Sequence, residues 1–175
     1  GTISPAVTEL WNGTNWTEVN DLNTGRLYLS GAGTTTASIA VGGEVPGGNS
    51  AVTELWNGTN WTEVNDLNTA RYAGATAGIT TSALTFGGAN PRYANTESWN
   101  GTNWTEVADL SAAKQAMGAA GTSNTSALGF GGTSPITANT EQWNGSSWTE
   151  VANLSVARRQ LGGAGTVDAA LAFGG

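Results

Sequence analysis

Two stretches of the chain are identical, because the segment TELWNGTNWTEVNDLNT occupies residues 8–24 and again residues 53–69. Diverged copies follow as TESWNGTNWTEVADLSA at 96–112 and TEQWNGSSWTEVANLSV at 140–156. The copies recur at intervals of 45, 43 and 44 residues and contain all eight tryptophans of the chain, namely Trp11, Trp16, Trp56, Trp61, Trp99, Trp104, Trp143 and Trp148. Self-similarity at this period indicates stacked repeats that share a core, so we predict one domain over residues 1–175 with the tryptophans between the repeats.

One repeat contains signals for four short strands. Trp56 and Trp61 flank the turn at 57–60, where Asn-Gly between strand-like runs predicts a tight hairpin. A run of small apolar residues at 72–78 and a second apolar run at 83–86, which ends at a Gly-Gly pair, supply two more strands. No helical periodicity is present, so we predict an all-β fold.

Four strands in about 44 residues are typical of a β-propeller blade. The chain begins in the middle of a repeat. Residues 5–19 supply only a hairpin, and residues 158–175 supply only the other two strands of a blade. Together the two halves complete one blade, so we expect four four-stranded antiparallel blades in a ring closed within the chain. The alternative is closure between chains, as eight blades from two chains or as a head-to-tail assembly. Because the sequence begins at Gly1 without Met, we expect a trimmed product or a part of a longer chain.

The order of motifs resembles the kelch repeat. Each repeat contains an apolar strand that ends in Gly-Gly, as in SALTFGG (82–88). A Trp hairpin comes next, as in TESWNGTNWTEVADL (96–110), and a basic residue precedes the following apolar strand, as in Arg71-Tyr72. All four copies share this order. The repeats are shorter than usual for kelch, and there are four rather than six or seven. The resemblance implies a β-propeller similar to those of phage and viral structural proteins and of bacterial surface proteins.

Kelch-type oxidases are the enzymes within this resemblance, and their copper site uses Tyr, His and Cys. The chain has neither His nor Cys, so that site cannot form. We therefore expect no enzymatic activity, no cofactor and no metal. A net charge of −7 disfavours nucleic acid as a partner, and the lack of a long apolar stretch disfavours membrane insertion.

Charged residues follow the repeat as well. One acidic set is Glu9, Glu54, Glu97 and Glu141, a second is Glu18, Glu63, Glu106 and Glu150, and the basic set is Arg26, Arg71, Lys114 and Arg158. Such sets could form rings that bind ions, or acid–base pairs that hold the blades. We favour structural pairs, because a residue repeated in every blade generally belongs to the framework.

Two other motifs have a functional and a structural interpretation. Glycosylation sequons occur at Asn12, Asn15, Asn57, Asn60, Asn100, Asn103, Asn124, Asn144 and Asn153. The same residues are expected without glycosylation, because Asn-Gly favours the hairpin turn and Thr favours the strand. We favour this structural interpretation. The loop at 20–23 and its equivalents carry oxygen ligands suited to Ca²⁺, but one or two carboxylates favour an Asx turn instead.

The loops after the Gly-Gly pairs differ between repeats. They occupy 44–49, 89–93, 133–136 and, for the closing blade, 1–5, and we expect them on one face. Binding residues concentrate on variable loops, although loop drift alone would produce the same pattern. The candidates are Glu44, Asn49, Asn90, Arg92, Tyr93 and Ile136.

Together with the lack of His and Cys, the resemblance implies a non-enzymatic structural or binding module, extracellular or on a virion. As a phage or viral tail or surface component, it would contact a host glycan or protein through the variable loops and would adjoin other virion or surface proteins. The alternative is a bacterial extracellular adhesin or filament subunit that forms a homo-oligomer head to tail.

Overall fold

The computed structural model describes residues 5–133 and 135–175, and these ranges contain strands, turns and loops but no helix. The all-β prediction is therefore confirmed for the described chain. The strand pairs are antiparallel. The first two strands, β1 (Glu9–Trp11) and β2 (Trp16–Glu18), form a sheet of their own.

Three four-stranded sheets follow, and in each the strands pair in chain order. The first sheet contains β3 (Ser30–Thr34), β4 (Ala37–Val41), β7 (Thr53–Trp56) and β8 (Trp61–Glu63), with a small hairpin of β5 (Glu44–Val45) and β6 (Gly48–Asn49) inserted in its loop. The second contains β9 (Ala75–Ile79), β10 (Ser82–Phe86), β11 (Thr96–Trp99) and β12 (Trp104–Val107). The third contains β13 (Gly118–Ser123), β14 (Ser126–Phe130), β15 (Thr140–Trp143) and β16 (Trp148–Val151). A final pair, β17 (Gly162–Gly165) and β18 (Ala170–Phe173), forms a second two-stranded sheet.

The Asn-Gly hairpins form as the sequence predicts. Between β7 and β8 the side chain of Asn57 accepts hydrogen bonds from the backbone N–H groups of Thr59 and Asn60 at 2.9 and 2.8 Å. Gly58 supplies the left-handed conformation of the turn, with φ +93°. The resulting register places Trp56 opposite Trp61, with ring centroids 5.4 Å apart. Local turn chemistry therefore fixes each tryptophan pair.

The four copies of the small-residue strand, β3, β9, β13 and β17, form the inner edges of the sheets. They pack side by side in that order, and residues of all four strands line one cavity. Ala and Gly dominate these strands, and their short side chains allow the sheets to approach closely. The apolar core lies between consecutive sheets: in one cluster the ring of Phe86 meets that of Trp148 at 4.7 Å.

The two ends of the array differ from the expected arrangement. In the described residues β1–β2 and β17–β18 are separate two-stranded sheets, so the pairing of the terminal halves within one chain is not present in this structure. β3 and β17 line the same cavity, but they do not pack against each other as closely as the three consecutive pairs of inner strands do. In the described residues, strand pairing therefore does not join the first and last members of the series of sheets.

The open ends change the surroundings of two tryptophans. Trp99 and Trp143 are fully enclosed, as the prediction of a tryptophan core requires, and Trp56 and Trp104 are also buried. Trp11 and Trp16 depart from the prediction, because 45% and 64% of their surfaces are exposed. The strands that would cover them are not paired with β1 in this structure.

Candidate functional site

The repeated charges form buried ion pairs in each of the three four-stranded sheets. Three salt bridges join the basic set to the acidic set in the described residues: Arg26–Glu54 at 3.0 Å, Arg71–Glu97 at 2.7 Å and Lys114–Glu141 at 2.7 Å. All six side chains are buried. Because solvent does not reach them, the framework interpretation of these charges fits the geometry better than an ion-binding ring.

Each pair is part of a larger hydrogen-bonded clamp. Arg71 donates to the carbonyls of Gly87 and Asn95 at 3.0 and 2.7 Å as well as to Glu97. Glu97 in turn accepts the backbone N–H of Asn68 at 2.8 Å. Burial lowers the pKa of Arg71 from its usual value, and the charge of Glu97 acts against that change. The clamp therefore ties two loops, the one before β9 and the one between β10 and β11, to the third strand of the sheet.

The fourth copy of this clamp is divided between the ends of the chain. Arg158 contacts only backbone carbonyls, those of Ala172 and Gly174, both at 3.2 Å. Glu9 is exposed on β1, and neither residue belongs to a salt bridge within the described ranges. A pair of Arg158 with Glu9, equivalent to the other three, is therefore not formed in this structure, because β1 and the strand that follows Arg158 lie in different sheets.

A cavity opens at the end of the inner strands where the variable loops lie. We call it the loop-face cavity; its volume is about 210 Å³. Its polar and aromatic lining residues are Tyr28, Glu44, Tyr72, Gln115, Thr133, Arg159 and Gln160. The rings of Tyr28 and Tyr72 lie 5.9 Å apart and are tilted by 40°. One carboxylate, one guanidinium, two amides and one threonine hydroxyl complete a lining that can both donate and accept hydrogen bonds.

A repeated backbone conformation builds this lining. Tyr28, Ala73, Ala116 and Gln160 occupy the same position in their repeats, and all four have φ between 50° and 56°. Each is joined to the previous one by a hydrogen bond from its N–H to the carbonyl of its predecessor, at 2.9, 2.8 and 2.8 Å along the chain. Left-handed φ is costly for residues other than glycine, and such strain often marks functional positions.

The sequence-predicted loop residues fall into three groups. Glu44 lines the loop-face cavity. Asn49 and Tyr93 have structural contacts, since Asn49 donates to the carbonyls of Ala89 and Asn90, and Tyr93 stacks on the guanidinium of Arg71 at 5.5 Å. Asn90 has a left-handed φ of 65° and supplies its carbonyl to those bonds.

Arg92 and Ile136 point outward. Arg92 is exposed and takes part in no salt bridge of the described chain, and Ile136 is also largely exposed. Of the fourth predicted loop, residues 1–4 lie outside the described residues, as does Ser134 of the third loop. Of the six candidate residues, the structure thus brings Glu44 alone into the loop-face cavity, and Thr133 of the predicted third loop joins it there.

Apart from Glu44 and Thr133, which lie in predicted loops, sequence reasoning missed the residues of the loop-face cavity. A signal was present, because the two positions after each residue of the basic set vary: they read Leu27-Tyr28, Tyr72-Ala73, Gln115-Ala116 and Arg159-Gln160. Variation at fixed positions of an otherwise constant repeat is the pattern expected of a recognition surface.

The Asn and Asp motifs have local structural contacts. Asn12, Asn100 and Asn144 repeat the turn contacts of Asn57. Asp66 accepts the backbone N–H of Thr53 at 3.3 Å, a bond between strand and loop rather than a metal contact. In the part of the chain that the structure describes, no group of three or more acidic side chains is placed to hold a metal ion.

No protein-family model matches the chain, and no curated protein matches it. Over the described ranges, no helix has the length and apolar character required to cross a bilayer.

Proposed function

We propose that the chain is a non-enzymatic binding module of the kelch-like propeller type, in which each four-stranded sheet is a blade and β17–β18 and β1–β2 are the halves of a fourth. The module serves on the surface of a virion, as part of a phage or viral tail, and contacts a host glycan or protein. The regular repeat, the Gly-Gly and Trp motifs and the small inner strands support this proposal.

The loop-face cavity is the observation that carries the binding role. Tyrosine rings offer apolar faces with a polar tip, and Glu44, Arg159 and Gln160 surround them with hydrogen-bonding groups. Polyhydroxylated ligands need this combination of flat apolar surface and mixed donors and acceptors. The repeated charged residues of the three complete sheets are less suited to bind a ligand, since their side chains are already paired with one another. A glycan is therefore the ligand class that we assign to the loop face.

A glycan array and a host-attachment assay with the labelled chain test the proposal. Replacing Tyr72 with alanine removes one ring of the cavity, and we expect binding to weaken about tenfold, which corresponds to 1.4 kcal/mol. The matched control is Ile79→Ala, an exposed apolar residue at the far end of β9, the inner strand that follows Tyr72, and this variant should bind as the wild type does. Absence of signal on every glycan, together with full host attachment by Tyr72→Ala and Arg92→Ala, would exclude the loop face as the binding site.

A second candidate function is that of a bacterial extracellular adhesin or filament subunit that assembles head to tail. The observation that favours it is the pair of two-stranded sheets at the ends of the array, each with an unpaired strand edge. Native proteins generally cover such edges, since an open edge is a template for pairing with another chain. The mass of the particle in solution distinguishes an assembled subunit from a monomeric binder of 17.7 kDa.

A further inference from the structure

The two ends of the array expose apolar groups that are buried elsewhere in the fold. On β18, Leu171 and Phe173 are exposed to 69% and 55%. The residues at the same repeat positions in β10, Leu84 and Phe86, are completely buried. Trp11 and Trp16 are the counterparts at the other end. Exposed apolar surface of this kind at both ends of a repeat array marks an interaction site.

A cavity beside β1 is empty at a position that a phenylalanine side chain fills elsewhere in the fold, between the third complete sheet and β17. This cavity, of about 520 Å³, lies between the first hairpin and the first complete sheet, and Leu29 and Gly31 are among its lining residues. At the corresponding contact of the third sheet, Phe130 packs with Leu161 and lies over Gly163, where an added Cβ would be 2.7 Å from its ring. Leu29 and Gly31 are the repeat equivalents of Leu161 and Gly163. The cavity therefore lies where the repeat would place the ring of Phe173.

The charges of the two ends are complementary as well. Every complete sheet joins its basic residue to the glutamate on its third strand. By the same repeat, the partner of Arg158 is Glu9, and these residues lie on opposite ends of the array. Each end thus presents one member of a pair that the fold forms three times in its interior.

Two series of hydrogen bonds between neighbouring sheets also stop at these ends. Trp61 donates its indole N–H to Thr8, Trp104 to Thr53 and Trp148 to Thr96, at 2.9–3.0 Å. The next member in the series would join Trp16 to Thr140, and within the described residues that bond is not formed.

The second series is the chain of backbone bonds behind the loop-face cavity. It begins at the carbonyl of Tyr28 and ends with the N–H of Gln160. A further bond in the same sense would run from the N–H of Tyr28 to the carbonyl of Gln160. One end of the array therefore offers the donor, and the other offers the acceptor.

We propose that β18 of one copy pairs antiparallel with β1 of a second copy and so completes a four-stranded sheet across two chains. The register of the complete sheets, in which Phe130 lies opposite Thr140 and Leu128 opposite Gln142, places Phe173 opposite Thr8 and Leu171 opposite Leu10. Phe173 enters the cavity beside β1, and Arg158 donates to Glu9 of the second copy.

A second copy is the occupant because it supplies every missing partner. This inference rests on the second of the proposed functions, head-to-tail assembly. In this structure the same chain does not supply the partners, since its own β1 and β18 lie in separate sheets. A contact between unlike ends repeats from copy to copy, so it produces a closed ring or a filament.

Disulfide trapping tests the pairing directly, because the natural chain contains no cysteine. Leu10→Cys and Leu171→Cys are prepared as separate single-cysteine proteins, mixed and oxidised. We expect a disulfide between the two variants, identified by intact mass, and much less between identical chains. Ser146→Cys, at an exposed hairpin tip, replaces Leu171→Cys in the control mixture and should yield little product.

Each alternative outcome has a defined meaning. A disulfide within one chain of the double variant Leu10→Cys/Leu171→Cys would overturn the proposal in favour of closure within the chain. Assemblies larger than 17.7 kDa without the Leu10–Leu171 disulfide would overturn this pairing but leave an assembly role intact. Monomers alone, without any disulfide, would remove both the pairing and the second proposed function.

A charge reversal gives an independent measure of the same contact. We expect Glu9→Lys to weaken self-association 100-fold or more, since loss of one partner leaves a buried charge unpaired. Glu18→Lys changes the charge equally on the neighbouring strand and should leave association within a few-fold of the wild type. In the double variant Glu9→Arg/Arg158→Glu, association should return. Equal effects of Glu9→Lys and Glu18→Lys would contradict the pairing.

Discussion

Replacement of Arg71 with leucine is expected to lower the free energy of unfolding by about 3–5 kcal/mol, since it leaves the buried carboxylate of Glu97 without its partner. The guanidinium also holds the carbonyls of Gly87 and Asn95, and both lose that donor in the variant. Removing one member of a buried pair lowers the free energy of unfolding more than removing both members does. The remaining charge stays buried away from water and has no opposite charge beside it.

Two further variants separate the charge from the side-chain volume. Arg92→Leu makes the same replacement at an exposed position in the loop between β10 and β11. We expect it to change the free energy of unfolding by no more than about 0.5 kcal/mol. The double variant Arg71→Leu/Glu97→Leu should recover much of the stability lost in Arg71→Leu. Urea denaturation at one pH gives all three values. Equal stability of Arg71→Leu and Arg92→Leu would show that the clamp does not stabilise the sheet.

The local part of the fold was predictable from the sequence because it depends on neighbouring residues. Asn57 and Gly58 determine the hairpin without reference to any other sheet, and the hairpin determines that Trp56 lies opposite Trp61. The pairing of the repeated acidic and basic residues could also be predicted, because a residue repeated at one register has equivalent partners in every copy.

The contacts between sheets could not be predicted in the same way. Whether β18 reaches β1 depends on how far each sheet turns relative to the next, and small differences at three successive contacts add up over the array. The loop-face cavity has the same origin. Tyr28, Tyr72 and Arg159 come from three repeats, and only the packing of the inner strands brings them to one opening.

Replacement of Trp99 with alanine has the other large expected effect, a loss of about 3–5 kcal/mol in the free energy of unfolding. The side chain is completely buried between the first two complete sheets, and its indole N–H donates to the carbonyl of Thr80 at 2.8 Å. Alanine leaves a cavity and an unpaired carbonyl, and the rigid sheets on either side limit how far the site can collapse.

Trp11 is the matched control because it occupies the same position in its repeat but is 45% exposed. In dilute solution, where the ends of the array are free, we expect Trp11→Ala to cost no more than about 1 kcal/mol. Burial by a second copy would change this value, since association stabilises a protein by mass action. The cost of Trp11→Ala should therefore rise with protein concentration while that of Trp99→Ala stays constant. Denaturation series at several protein concentrations measure both, and a cost of Trp11→Ala that is independent of concentration would contradict assembly through β1.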